Sequence, residues 1–351
     1  MKSPAKSLLL CLLTAALLLP LCAGCAAKQK KYTDQAFEWF DSHYILTVYT
    51  SNEEDFERYA ALCRAVIEKY HRLLDIYHTY EGLVNLKTIN DAGGTAITVS
   101  EELFRFLQYA GEMHTLTEGY TNLAMGSVIA LWQEAAQNAA TLPYNEAPLP
   151  EPQALTEALA HTDIRSLVLS EQSYTVTLTD PLVTLNAGAL GKGYAAEQVA
   201  KTLLDAGCGS FLLDLGGNVV AYGQKPGNTP WLVGIRQPSG HAGYVGSVRL
   251  EGQSLVTSGS YERHFMSGGV RYHHIIHPTT GYPDNTYVSV SVLCDSSATA
   301  DALSTALFSM SPDKGMALVD SLPDTEAVWL MSNGQTVVSQ GFEAYTEGAD
   351  S

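Results

Sequence analysis

The chain has 351 residues, 46% of them hydrophobic and 16% charged, and a formal net charge of −17. That is enough apolar material to bury a substantial core, as one large domain or two interlocked ones. With 37 acidic residues against 20 basic ones and no basic stripe, a general nucleic-acid binder is excluded.

In chain order, Lys2 and Lys6 precede the apolar run Leu8–Leu21, which ends in Cys22-Ala23-Gly24-Cys25. The run is too short and wrongly flanked for an ordinary transmembrane helix. Small residues before a cysteine resemble a bacterial lipoprotein signal. Residues 1–24 are then the signal peptide and Cys25 carries the lipid, which places the protein on the extracytoplasmic face of a bacterial cell membrane. Cys22 stands where that signal usually has Leu, and a plain secretory leader is the alternative. A polar tether, residues 25–35, follows. Beyond the leader, Cys63, Cys208 and Cys294 are widely spaced in apolar surroundings, and they read as buried thiols and not as a disulfide framework or a zinc site.

Phe37–Thr50 reads as an entry turn and a strand. Glu53–Ile76 is helical, with Phe56, Tyr59, Cys63, Ile67, Tyr70 and Leu74 on one face. Ser100 caps a second helix, Glu101–Thr117, and Tyr120–Trp132 begins as a loop and becomes a third. Thr141–Pro152, with four prolines, is an exposed excursion inside one fold, followed by a short helix at Glu151–Leu159. Leu167–Leu169 and Thr175–Thr179 form a hairpin. A β-like segment, Leu182–Leu185, enters the small-residue turn Asn186–Gly191, followed by Lys192 and a helix over Tyr194–Leu204. Phe211–Leu215 is a strand ending in Gly216-Gly217-Asn218.

Strands with Gly/Pro turns occupy Trp231–Val256, and Tyr261–Met266 with Tyr272–Ile276 make a hairpin. Tyr287–Leu293 is a strand, Ala298–Met310 and Lys314–Ser321 are helices, and a last hairpin closes the chain. Strands mixed with helices give an α+β fold with a largely antiparallel sheet, with the domain spanning residues 36–345.

Several groups carry chemistry. Glycines 188, 191 and 193 allow close backbone approach, a helix N-terminus favours anions, and Lys192 adds positive charge, which together describe a phosphate cradle. A tight strand–helix turn with a solvated lysine has the same pattern. Asp301 and Thr305 stand four apart on one helix face, and carboxylate plus hydroxyl suits a hard cation such as Mg²⁺. They also suit a helix start, where Asp301 favours the dipole. His273, His274 and His277 invite zinc, but on a strand the first two face opposite sides and the third falls at a Pro turn. A single histidine acting as general base or phosphate partner fits that pattern better. Thr257-Ser258-Gly259 offers hydroxyl and amide donors to a phosphate, and an ordinary strand-end turn has the same pattern.

From Phe37 to Val338 the chain resembles the FAD:protein FMN transferases, the ApbE family. The resemblance is carried by Leu86–Asn90, Gly119–Trp132, Asn186–Tyr194, Leu215–Asn218, Thr257–Gly259 followed by Tyr261 and Arg263, His273–Pro283 and Ala300–Leu307. It implies a T-fold-related single domain. It implies Mg²⁺ held by Asp301, Thr305 and the Ala189 carbonyl, with Ser304 as a further ligand. FAD is the substrate, set against Phe40, Tyr77 or Tyr80, Asn90, Tyr120, Thr121, Asn122, Asn186, Lys192, Ser258, Gly259 and Ile275. The family's functional histidine falls on His274.

The family commonly has Asp where this chain has Asn186, and Asp-Pro where it has His277-Pro278. The implied reaction transfers FMN to a Thr or Ser hydroxyl of acceptor flavoproteins of exported or membrane redox systems, with AMP leaving. The alternatives are an Mg²⁺-dependent FAD pyrophosphatase and a non-catalytic flavin-binding lipoprotein. A solute-binding lipoprotein would require two similar lobes, and the sequence shows none.

Overall fold

The computed structural model describes residues 28–236 and 244–346, so the leader and Cys25 lie outside the described residues. Strand β1 (Lys30–Trp39) pairs antiparallel with β2 (Ser42–Thr50), starting at Lys30 opposite Thr50. The expected tether therefore gives way to strand at Lys30. Alternation explains this, because Tyr32, Asp34 and Ala36 share the half-buried face. Tyr32 stacks on Phe56 at 5.1 Å, and Asp34 accepts from Tyr44 Oη and Arg64. An ion pair in an apolar slot disguises that pattern.

After β2 come α1 (Glu53–Leu73), α2 (Leu86–Asn90), β3 (Ile97–Thr98), α3 (Glu101–Leu116), α4 (Gly126–Thr141) and α5 (Pro152–Leu159). Then follow β4 (Leu167–Ser170), β5 (Thr175–Leu178), α6 (Gly191–Asp205), β6 (Phe211–Leu215) and β7 (Asn218–Tyr222). The second half contains β8 (Trp231–Arg236), β9 (Tyr244–Leu250), β10 (Ser254–Gly259), β11 (His264–Ser267), β12 (Val270–His273) and β13 (Tyr287–Cys294). It closes with α7 (Ser297–Ser309), α8 (Pro312–Asp320), β14 (Glu326–Met331) and β15 (Thr336–Val338).

One eight-stranded sheet, ordered β1-β2-β6-β7-β10-β13-β14-β15, organises the molecule, and all its pairs are antiparallel. Neighbouring residues on a strand face opposite sides, so Val256 and Val292 join the core under α7 while Leu255 and Leu293 join the core on the other face. The first face carries α1, α6 and α7. The second is covered by the β8–β9 hairpin through Trp231, Ile235, Val248 and Leu250. The α+β, largely antiparallel architecture is as expected, and the three cysteines are buried and free.

Two differences bear on the site. Leu182–Leu185 is not a ladder strand; instead Asn90 takes both backbone groups of Leu185, with Nδ2 donating to its carbonyl at 3.0 Å and Oδ1 accepting from its N–H at 2.8 Å. The proline-rich excursion is exposed at most positions, as expected, but it is also tied to the β11–β12 turn. Gly269 N–H donates to Asn145 Oδ1 at 2.6 Å, and Ser267 Oγ donates to the Ala147 carbonyl at 2.7 Å. Among the described residues, no helix is long and apolar enough to cross a membrane.

Candidate active site

A cleft of about 1460 Å³ opens between the β1–β2 turn, the loop after α1, the start of α6 and the β11–β12 hairpin. It exceeds the roughly 300–1,000 Å³ of ordinary small-molecule pockets, as a dinucleotide-sized ligand requires. The fold brings Phe40, Tyr77, Tyr120, Thr121, Asn122, Asn186, Ala189, Lys192, Ser258, Gly259, His274, Ile275, Asp301 and Thr305 to its walls. Tyr80, Asn90 and Ser304 do not line it.

The floor is built where α6 meets α7. The carboxylate of Asp301 is buried, and its Oδ2 accepts the Gly193 N–H at 2.7 Å. Leu190 gives α6 no side-chain cap, so a carboxylate from the neighbouring helix serves instead, where the helix dipole favours negative charge. Only glycine fits at position 193, since a Cβ there would collide with Asp301 and stand 2.5 Å from the Ser297 carbonyl oxygen. Burial pushes the Asp301 carboxyl up to about 6, against the opposing pull of Lys192 and the Gly193 N–H. Lys192 Nζ donates to the Gly216 carbonyl at 3.2 Å, and two of its three N–H donors are left for a ligand.

Oxygen donors cluster beside Asp301. Ser258 Oγ lies 2.8 Å from Ser304 Oγ and 3.5 Å from Thr305 Oγ1, and Ser304 Oγ also donates to the Asp301 carbonyl at 3.0 Å. A buried carboxylate with hydroxyls and the nearby Ala189 turn is an all-oxygen set, the chemistry Mg²⁺ selects. The residues present therefore fit that ion, with Ser304 set behind the cleft wall and bonded to Ser258. Among the described residues, no three His, Cys, Asp or Glu side chains converge on one point.

The three histidines separate cleanly. His273 is buried, donates from Nε2 to the Asp284 carbonyl at 2.9 Å and accepts the Ile275 N–H at Nδ1, so both nitrogens are used. His277 Nδ1 accepts the Thr279 N–H at 3.1 Å and shapes the turn. His274 faces the cleft. Its Nδ1–H donates to the Arg263 carbonyl at 3.3 Å, which leaves Nε2 as the unprotonated nitrogen. The ring is open to the cleft yet enclosed by its walls, and that enclosure, with Lys192 and Arg263 nearby, lowers its pKa. It is neutral at physiological pH and able to accept a proton.

The loops around the cleft are largely committed to holding themselves. Thr121 Oγ1 donates to the Ala302 carbonyl at 2.6 Å, and Asn122 Nδ2 donates to the Thr162 carbonyl at 2.8 Å. Both bonds fix a loop whose residues line the cleft. Asn186 Oδ1 accepts the Gly188 N–H at 2.9 Å, closing the cradle turn. Of the two tyrosines offered by the sequence, Tyr77 is the one in the cleft. It is 59% exposed, a large aromatic surface with one polar partner, Gln133 Nε2, at 2.7 Å. Tyr80 instead donates its hydroxyl to Asp75 at 2.7 Å.

Asp75 is a residue sequence reasoning missed. It also accepts the N–H groups of Tyr77 and His78. Burial opposes its ionisation, yet these donors together hold its carboxyl below the ordinary value. The sequence signal was an Asp directly after a helix end, the pattern of an Asx turn. That turn is what ends α1 at Leu73 and presents Tyr77.

A family model described as the ApbE family matches residues 40–329. An FAD:protein FMN transferase of Klebsiella pneumoniae is 31% identical over 300 residues, covering 85% of this chain and 89% of that protein. One from Treponema pallidum is 36% identical over 267 residues, 71% of each. Among solved structures, the ApbE protein of Thermotoga maritima superposes with a TM-score of 0.80 at 26% identity, covering 91% of this chain and all of that one.

Proposed function

The chain belongs to the ApbE family, and from that membership we propose that it is an FAD:protein FMN transferase, moving FMN from FAD onto a hydroxyl of a protein acceptor. The observation that carries the reading is one cleft holding the buried Asp301 with its hydroxyl cluster and a neutral His274 with Nε2 free. Asp301, Thr305 and the Ala189 carbonyl, backed by Ser304, would hold Mg²⁺. Bound there, the ion supplies charge neutralisation to the pyrophosphate of FAD.

His274 Nε2 takes the proton from the acceptor Thr or Ser hydroxyl as its oxygen bonds to the FMN-side phosphorus. The bond from that phosphorus to the bridging oxygen breaks, and its electron pair leaves on AMP. Lys192 Nζ, at the positive end of the α6 dipole, is placed to meet the negative charge that builds on the phosphates. The tautomer matters here, because the Arg263 carbonyl accepts Nδ1–H and so directs the basic nitrogen outward. Tyr77 presents a ring face for the flavin or adenine to stack on.

The leader pattern supports the further proposal that Cys25 is acylated and that the enzyme works at the extracytoplasmic face of the membrane. Its acceptors are then exported or membrane flavoproteins. The test mixes the purified leaderless chain with FAD, Mg²⁺ and a small acceptor domain carrying its target threonine, followed by a denaturing gel read by flavin fluorescence. A fluorescent acceptor band that requires Mg²⁺ is the expected result. Free AMP and FMN without a band would identify a pyrophosphatase instead.

A further inference from the structure

We propose that Arg263 is a positioning residue that couples the seating of the β1–β2 turn to the orientation of His274. The inference rests on the transferase reading above and concerns how its base is held. Arg263 lies between β10 and β11, and its two ends do different jobs. Its backbone carbonyl accepts two donors from a single residue, the His274 N–H at 3.1 Å and the His274 Nδ1–H at 3.3 Å. Its side chain reaches across the cleft mouth, where Nη2 donates to the Phe40 carbonyl at 3.3 Å and the Asp41 carbonyl at 3.0 Å.

Those carbonyls belong to two consecutive non-glycine residues in the left-handed region, with φ of 55° and 48°. Residues with a Cβ avoid that conformation, and a cation bridging both carbonyls favours it. Phe40, Asp41, Arg263 and His274 all line the cleft. Release of the turn frees the guanidinium, loosens the Arg263 backbone and lets the imidazole rotate or change tautomer. The charges facing His274 are Lys192 from α6, Arg263 from its own segment and the neighbouring His273, and each disfavours the imidazolium. Arg263 thus orients the ring through its carbonyl, a contact that favours the protonated ring, while its guanidinium opposes that protonation. A lysine supplies charge but not the planar fork.

The test compares Arg263→Gln and Arg263→Lys with the wild-type chain. Long-range ¹H–¹⁵N correlation of the imidazole reports tautomer and titration midpoint without any turnover, and His274→Asn identifies the signal. In Arg263→Gln the single Nδ1–H tautomer is expected to become mixed and the titration midpoint to shift from the wild-type value, because both the carbonyl contact and the guanidinium charge act on the ring. kcat should fall about tenfold, the loss of a charge-assisted contact, with KM for FAD little changed. Arg263→Lys should keep the midpoint but recover kcat only in part. An Arg263→Gln variant with wild-type tautomer and midpoint overturns the proposal, even if its Tm and activity drop, because that pattern belongs to a purely structural arginine. If the wild-type chain transfers no FMN, the transferase reading fails, and the imidazole titration still decides the role of Arg263.

Discussion

Replacing Asp301 with Asn separates the stability cost of the buried carboxylate from its use. The substitution keeps an oxygen to accept the Gly193 N–H and removes the charge. In the folded chain the carboxyl is raised from 3.8 to about 6. The fold therefore favours the protonated form, an advantage fully present below pH 3.8 and lost as pH rises through about 6. A shift of roughly two units at 1.36 kcal/mol each leaves the ionised form about 3 kcal/mol less favourable in the folded state above that window.

With chelator present at pH 7.5, urea denaturation should find Asp301→Asn more stable than wild type by up to about 3 kcal/mol, the gap closing toward pH 4. Mg²⁺ at one hundred times its Kd should return about 2.7 kcal/mol to the wild type alone, while transfer activity appears only in the wild type. An Asn variant no more stable than wild type in chelator would refute the desolvation argument. An equal Mg²⁺ gain in both chains would place the metal elsewhere.

His274→Gln should lower kcat by about 10²–10⁴-fold, the usual weight of a general base, with FAD binding by fluorescence titration retained. Because the ring's pKa lies below its ordinary value, the wild-type kcat profile should show no histidine limb between pH 6 and 8. Asn90→Ala removes both bonds to Leu185 and should cost about 2 kcal/mol in urea denaturation; unchanged stability with weakened FAD binding would make Asn90 a ligand contact instead. Asn186→Asp keeps the oxygen that accepts the Gly188 N–H, so FAD affinity should hold or improve, and a large loss would show that the cradle has been retuned around the amide.

Much of the site was legible because its chemistry is local in sequence. Asp301 and Thr305 share a helix face, the Gly188–Gly193 turn announces close backbone approach, and the α+β pattern follows from short alternating strands between helices. What escaped depends on partners far along the chain. Asn90 looked like a ligand residue, yet its amide substitutes for a missing β-partner 95 positions away. Tyr77 and Tyr80 were indistinguishable until Asp75 claimed the hydroxyl of one and the backbone of the other. Arg263 was visible as a pattern residue, but its reach to Phe40 spans 223 positions, and no periodicity encodes that. Strand β1 was hidden by Asp34, whose charge is matched by Arg64 on α1.

Strand β1 also sets a direction. The chain enters it at Lys30 and leaves through the Phe40–Asp41 turn at the lip of the cleft. Ten residues at about 3.3 Å each put those two points roughly 30 Å apart. A lipid on the segment before Lys30 would hold the molecule by the far end of this rod, with the cleft turned outward. The enzyme would then address the part of an acceptor that stands clear of the bilayer, and lengthening the polar segment would change which heights above the membrane it can reach.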